Sequence, residues 1–261
     1  MKTYYLDYCR DRRKYRTTFR KTQQERENSF PISEMDEIVQ WGYDDASLER
    51  NIVDTDFYQE TRNWIGNKRS GYYAWKPYII YDLLNSIDDG DIVVYWDCNP
   101  FCPKFNQSFM PFLNYVDENF DMVVPSPKRF LHIEWTKRDC FELMGCTDEK
   151  YTSSANSQIQ ATWSIWKKTP KTMDAVSDWL YWSKNENVIR CDLTNICGKD
   201  NFQGFNNHRH DQSVLTNIVI KHKCTIVSYG KNMRVGRRKI KDIHVYSDNY
   251  AKCKFGYYGE L

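Results

Sequence analysis

The sequence predicts an α/β fold, one mainly parallel central sheet flanked by helices, and three observations carry that expectation. Apolar runs of strand length alternate with stretches whose apolar residues recur at helical spacing. The run Ile92-Val93-Val94-Tyr95-Trp96 is continuously apolar, as a strand covered on both faces requires. No internal repeat of fixed period points to a solenoid or a propeller. At 261 residues the chain is long enough for one sizeable core, and a single domain spanning 1–261 is the expectation.

Taken in order, the aromatic stretch of residues 3–9 suits a first buried strand. The charged residues 10–27 suit a helix with a solvated face. Residues 37–41 form a short second strand that ends in the acidic turn 42–45, and residues 55–65 are helical. Over residues 75–87, Trp75, Tyr78, Ile79, Leu83 and Ile87 stand near helical spacing, with Pro77 tolerated in the first turn. Asp88-Asp89-Gly90 stops that helix ahead of the 91–96 strand. A helix over 108–119, a strand over 121–125, a strand over 158–168 and an amphipathic helix over 172–183 follow. The loop 192–207 has no periodicity and leads into a helix over 212–220.

Composition excludes several classes. Lysine and arginine total 37 against 35 acidic residues, a net charge of +2, too small for the whole chain to act as a nucleic-acid polyelectrolyte. The basic run from Arg234 to Lys241 and the abundant aromatics favour a nucleic-acid-binding module, and the near-neutral net charge argues against it. No window approaches the ~18 apolar residues of a membrane span, so no integral membrane segment is expected. Nine cysteines without any Cys-x-x-Cys pair signal neither a zinc site nor a full disulfide framework, which reads as reduced thiols in a cytoplasmic setting. Aromatic residues make up 16% of the chain, a composition suited to stacking on planar bases and sugar rings.

Polar chemistry collects in four places. Asp97 and Asn99 follow the strongest strand at i and i+2, where open α/β sheets bind ligands and where two side-chain oxygens can meet one hard cation. Asp-Cys-Asn-Pro is equally good turn chemistry. The segment His208-Arg209-His210-Asp211-Gln212-Ser213 opens a helix; Asp211 could cap it, or Asp211, Gln212 and His210 could hold a hydroxylated substrate. Lys68 to Pro77 places Arg69, Tyr72, Trp75 and Lys76 around Gly71 at a helix start, a natural place for phosphate. Lys137, Arg138 and Asp139 form a charged patch flanked by apolar residues.

Four segments in register, Gly71 to Pro77, Gly90 to Asp97, Trp135 to Asp139 and Arg209 to Ser213, resemble a family of glycosyltransferase-like proteins from bacterial polysaccharide clusters and large DNA viruses. His210 to Ser213 is also similar to the His-Asp-Glu-Ser of blood-group-type retaining transferases and the Asp-Gln-Asp of glycogenin-like ones. The resemblance implies a GT-A, Rossmann-like domain, its 1–125 half mainly nucleotide-binding and its 126–261 half mainly for sugar and acceptor. It implies a nucleoside-diphosphate sugar donor, usually UDP-linked, a glycan or glycoconjugate acceptor, and Mn²⁺ or Mg²⁺ on the diphosphate. Asp97, Asn99 and His244 are the metal ligands it assigns. Arg69, Tyr72, Trp75, Lys76, Lys137, Arg138 and Asp139 would bind the donor, and Asp211, Gln212 and His210 would be catalytic, with retention of anomeric configuration. The neutral Asn99 stands where many such enzymes carry a second aspartate. A carbohydrate-binding protein without catalysis is the other reading.

Overall fold

In the computed structural model, Thr3–Cys9 (β1) lies between two parallel neighbours, Glu37–Gly42 (β2) and Ile92–Trp96 (β4). The structure describes residues 1–9, 32–44, 48–65, 69–97, 104–105, 108–126, 130–228, 234–235, 238–239 and 245–246. The helix expected over 10–27 lies outside them.

Added to these strands are Arg50–Asn51 (β3), Lys104–Phe105 (β5), Met122–Ser126 (β6), Trp163–Lys167 (β7), Thr225–Ser228 (β8), Arg234–Val235 (β9), Arg238–Lys239 (β10) and Val245–Tyr246 (β11). The main sheet has the order β10-β9-β8-β6-β7-β4-β1-β2-β3, and β5 pairs with β11 apart from it. Within the main sheet β7 and β9 run against the other strands. The expected mainly parallel sheet is what the chain forms. Because β7 is antiparallel to both its neighbours, the residues leading into it cross the carboxyl ends of β4 and β6, so one edge gathers three chain segments.

Strand alternation divides the core into two layers. Tyr4, Leu6, Tyr8, Val93, Tyr95, Val124 and Trp166 face one side, under the helices Trp75–Ser86 (α2), Pro170–Ser183 (α6) and Asp211–His222 (α8). Tyr5, Val94, Trp96, Val123 and Ile165 face the other, under Met110–Asn119 (α3). Asp56–Ile65 (α1) and the short helices Arg138–Leu143 (α4), Glu149–Thr152 (α5) and Glu186–Ile189 (α7) complete the described α-helices. None of these is long and apolar enough to cross a membrane.

The sequence expectations need three corrections. The strand expected over 158–168 begins only at Trp163, because residues 158–162 give their hydrogen bonds away from the sheet ladder: Gln158 N donates to Phe130 O and Gln160 N to Pro125 O. Thr225–Ser228, for which no element was expected, is a sheet strand parallel to β6. Asp211 is the first residue of α8 and does not cap it; His210 occupies the cap position, and the Asp211 carboxylate turns to a lysine.

Candidate active site

The carboxyl end of β4 delivers Asp97, the first turn of α2 delivers Lys76, and the first residue of α8 delivers Asp211. Their side chains meet. Lys76 Nζ lies 3.2 Å from Asp97 Oδ1 and 3.1 Å from Asp211 Oδ2, and it donates a 2.6 Å hydrogen bond to the carbonyl of Ala161. Lys76 and Asp211 are 3% and 4% exposed and Asp97 18%, so Asp97 is the member that faces solvent. Tyr95 OH donates to Asp97 Oδ1. The ammonium also lies over the rings of Tyr95, Tyr73 and Trp75 at 5.2, 5.5 and 5.8 Å, so aromatic faces supply part of the solvation that water would otherwise give.

Burial of this cluster works against every charge in it, and the pairing decides the outcome. For Lys76, burial disfavours the ammonium, but Asp211 and Asp97 outweigh it and hold its pKa above the ordinary value. For Asp211, burial dominates, Lys76 opposes it, the like charge of Asp97 adds to it, and the carboxyl is pushed up to about 6. The site therefore holds an aspartate whose burial raises its carboxyl above the ordinary range even beside an ammonium.

The chain on both sides is set for this meeting. Gly71, Tyr72 and Tyr73 have φ of 62°, 56° and 60°, three left-handed residues in succession that swing the backbone into α2. A Cβ on Gly71 would stand 2.2 Å from Ile65 Cγ1 and 2.8 Å from Ile65 O, so the turn needs a glycine there both for its φ and for the space. His210 has φ 53° and ψ −123°, a conformation costly for a residue with a side chain, immediately before Asp211. Its ring is held by the Ile189 carbonyl at 3.2 Å from Nδ1 and by the edge-to-face Tyr72 ring at 5.1 Å. Gln212 Oε1 accepts from Ala161 N at 3.4 Å, which fixes the segment whose carbonyl holds Lys76.

The remaining sequence candidates separate. Trp75 is buried with its ring stacked on Tyr8, and Tyr72 is buried under the Arg190 guanidinium, while Tyr73 is 38% exposed beside Lys76. Lys137 is buried with its Nζ 3.5 Å from Asp139, and burial brings its pKa below the ordinary value. Asp139 accepts from the amides of Ile196 and Cys197, and Arg138 pairs with Glu142 over the Phe202 ring. These three residues thus fasten the 192–207 loop. They reach the Lys76 cluster indirectly, through His208, whose Nδ1 accepts from Lys137 N and whose ring lies 6.0 Å from that of His210. Asn99, His244 and the side chain of Arg69 lie outside the described residues.

Among the described residues no group of three His, Cys, Asp or Glu side chains converges on a point that could hold a metal ion. Asp97 and Asp211 already share the Lys76 ammonium, so the described residues do not by themselves fit a divalent cation. The site chemistry is that of two carboxylates bridged by one cation at a sheet edge. Sequence reasoning assigned its three charged members but missed Tyr95, Tyr73 and the Ala161 carbonyl. Only the alternation of β4, which turns Tyr95 and Asp97 to one side, could have indicated Tyr95.

No protein-family model matches the chain, and no curated protein does. Solved structures do match. One is the crystal structure of mouse xyloside xylosyltransferase 1 in its apo form, 8% identical, with a TM-score of 0.46 over 85% of this chain and 82% of that one.

Proposed function

We propose that the chain is a glycosyltransferase that moves a sugar from a nucleoside-diphosphate donor, UDP-linked in the first instance, to a glycan or glycoconjugate acceptor with retention of anomeric configuration. The observation that carries this reading is the Asp97–Lys76–Asp211 cluster at the carboxyl edge of β4, within motifs that resemble those of such transferases. An incoming diphosphate would compete with Asp97 for the Lys76 ammonium, and because two carboxylates on one ammonium leave an excess negative charge, it would need to bring a cation with it.

In the proposed reaction the bond from the anomeric carbon to the diphosphate oxygen breaks and its electron pair leaves with the diphosphate. The acceptor hydroxyl forms the new bond on the same face and passes its proton to the departing diphosphate. Asp211 and Gln212 line the sugar side of the donor, and in this route Asp211 stabilises the positive charge that develops there. In a double displacement its carboxylate would first expel the diphosphate and then itself be expelled from the anomeric carbon by the acceptor oxygen, the acceptor proton again going to the diphosphate. Tyr73, exposed beside Lys76, would cover the donor. The Mn²⁺ or Mg²⁺ that the resemblance implies would meet Asp97 together with Asn99 and His244.

A panel of nucleotide sugars, screened by thermal shift with and without Mn²⁺, tests the reading. The expected result is a rise in Tm for one donor, since a ligand that binds only the native state stabilises it by mass action, and loss of that rise in Asp97→Ala. No rise with any donor, or an undiminished rise in Asp97→Ala, would overturn it.

A further inference from the structure

Arg209 precedes the catalytic segment and carries a cation that the proposed transfer does not use. Its guanidinium carbon lies 4.4 Å from the ring centroid of Phe130 and 4.2 Å from that of Trp135. The two rings meet edge to face at 5.0 Å. The backbone around them is fastened: the Trp135 carbonyl accepts from Ser213 Oγ at 2.7 Å, from Gln158 Nε2 at 3.0 Å and from Arg209 N at 3.2 Å, and Phe130 O accepts from Gln158 N at 2.8 Å. Among the described residues no carboxylate and no hydrogen-bond acceptor of the protein meets the guanidinium, although the other partly buried arginines there, Arg50, Arg138 and Arg190, are each paired with an acid. Burial alone acts on its pKa, and a guanidinium stays charged under that pressure.

Held against two rings, with no acid of the described chain to occupy it, the five-donor fork is only partly buried and remains open to an oxyanion arriving from solution. The place is informative. Gln158 fastens this stack and also receives Ser126 Oγ at its carbonyl, which puts the stack at the carboxyl end of β6. Asp97 stands at the carboxyl end of β4, two strands away in the sheet, a separation of roughly 10 Å at ordinary strand spacing. The chain from Gln158 to Ala161, which joins the two places, can span no more than about 11 Å. These backbone separations are on the scale of a short saccharide.

We propose that Arg209, held by Phe130 and Trp135, is a recognition group for an anionic acceptor, a sugar bearing a carboxylate or a phosphate, which it grips through a bidentate guanidinium contact. This rests on the transferase reading and adds the acceptor class to it. A guanidinium fork matches either oxyanion, so both sources share one chemistry.

The test is binding to the intact protein of glucuronic acid, glucose 6-phosphate and glucose, with UDP as a donor-side control, measured for the parent, Arg209→Gln and Arg209→Lys. The parent should bind at least one of the two anionic sugars ten-fold or more tightly than glucose, and which one is favoured separates carboxylate from phosphate. Arg209→Gln should lose that preference, Arg209→Lys should keep only part of it, and UDP affinity should be the same in all three. Equal binding of glucose and both anionic sugars by the parent would overturn the proposal without need of any variant, which covers the case in which a substitution prevents folding. A fall in UDP affinity matching the fall for the anionic sugar would also overturn it, by assigning Arg209 to the donor. If the parent prefers an anionic sugar through Arg209 but binds no nucleotide sugar, the anion site stands and the transferase reading fails.

Discussion

The Nζ atom of Lys76 stands 3.1 Å from Oδ2 of Asp211, joining the first turn of α2 to the first residue of α8 in a place almost closed to water. Each residue makes the other tolerable. A buried ammonium and a buried carboxylate are both costly alone, and the second carboxylate, Asp97, leaves the group with one excess negative charge that a cation or a polar substrate can answer.

Removing the cation should therefore be severe. Lys76→Met would leave Asp211 buried without a counter-charge and is expected to lower stability by about 3–5 kcal/mol. The double substitution Lys76→Met with Asp211→Asn should recover a good part of the loss, a coupling that urea denaturation of the four proteins would measure. Simple addition of the two single effects would show that the pair is not coupled.

Asp211 should also set the acid side of the pH profile. With its carboxyl pushed up to about 6, transfer should rise as pH passes that value, and Asp211→Asn should abolish that limb. The size of the fall separates its roles: a nucleophile would lose nearly all turnover, whereas a positioning residue would mainly raise the donor requirement. Stability should move the opposite way. The folded chain holds an extra proton between the ordinary 3.8 and about 6, so the Asp211 contribution declines as pH rises through that window.

Asp139 predicts the reverse dependence. Burial works against its charge, but the amides of Ile196 and Cys197 and the nearby Lys137 outweigh it and hold its pKa below the ordinary value. Its stabilisation is present above pH 3.8 and is lost as pH falls through the folded-state value. Asp139→Asn should loosen the 192–207 loop, read as faster amide exchange at Ile196 and Cys197, while amides within β4 stay protected. Unchanged exchange at those two amides would contradict this account.

Gly71→Ala should fail for two separable reasons. The left-handed φ of 62° costs alanine about 1–2 kcal/mol, and the clash with Ile65 adds about 1–3 kcal/mol of overpacking. Pairing it with Ile65→Ala should return, as a shift in Tm, only the part of the clash owed to the Ile65 side chain, because the 2.8 Å contact with the Ile65 carbonyl and the left-handed φ both remain.

Much of this protein was determined by its sequence alone. Continuous apolarity from Ile92 to Trp96 dictates a doubly covered strand, that strand must end at Asp97, and Gly71 marks the tight turn before α2. These are local facts, set by side-chain type and backbone freedom within a few residues. Tertiary structure alone decided which residues in those segments face one another. Trp75 is buried on Tyr8 while Tyr73 is exposed, because three successive left-handed residues rotate the chain in a way that periodicity does not encode. Lys137, Arg138 and Asp139 carry the same charges as a binding patch, yet the short helix that they open turns them toward the 192–207 loop. Arg209 gave no local sign of standing against Phe130 and Trp135. Its position depends on hydrogen bonds from Gln158 and Ser213 to Trp135, contacts between distant segments that exist only once the sheet edge has assembled.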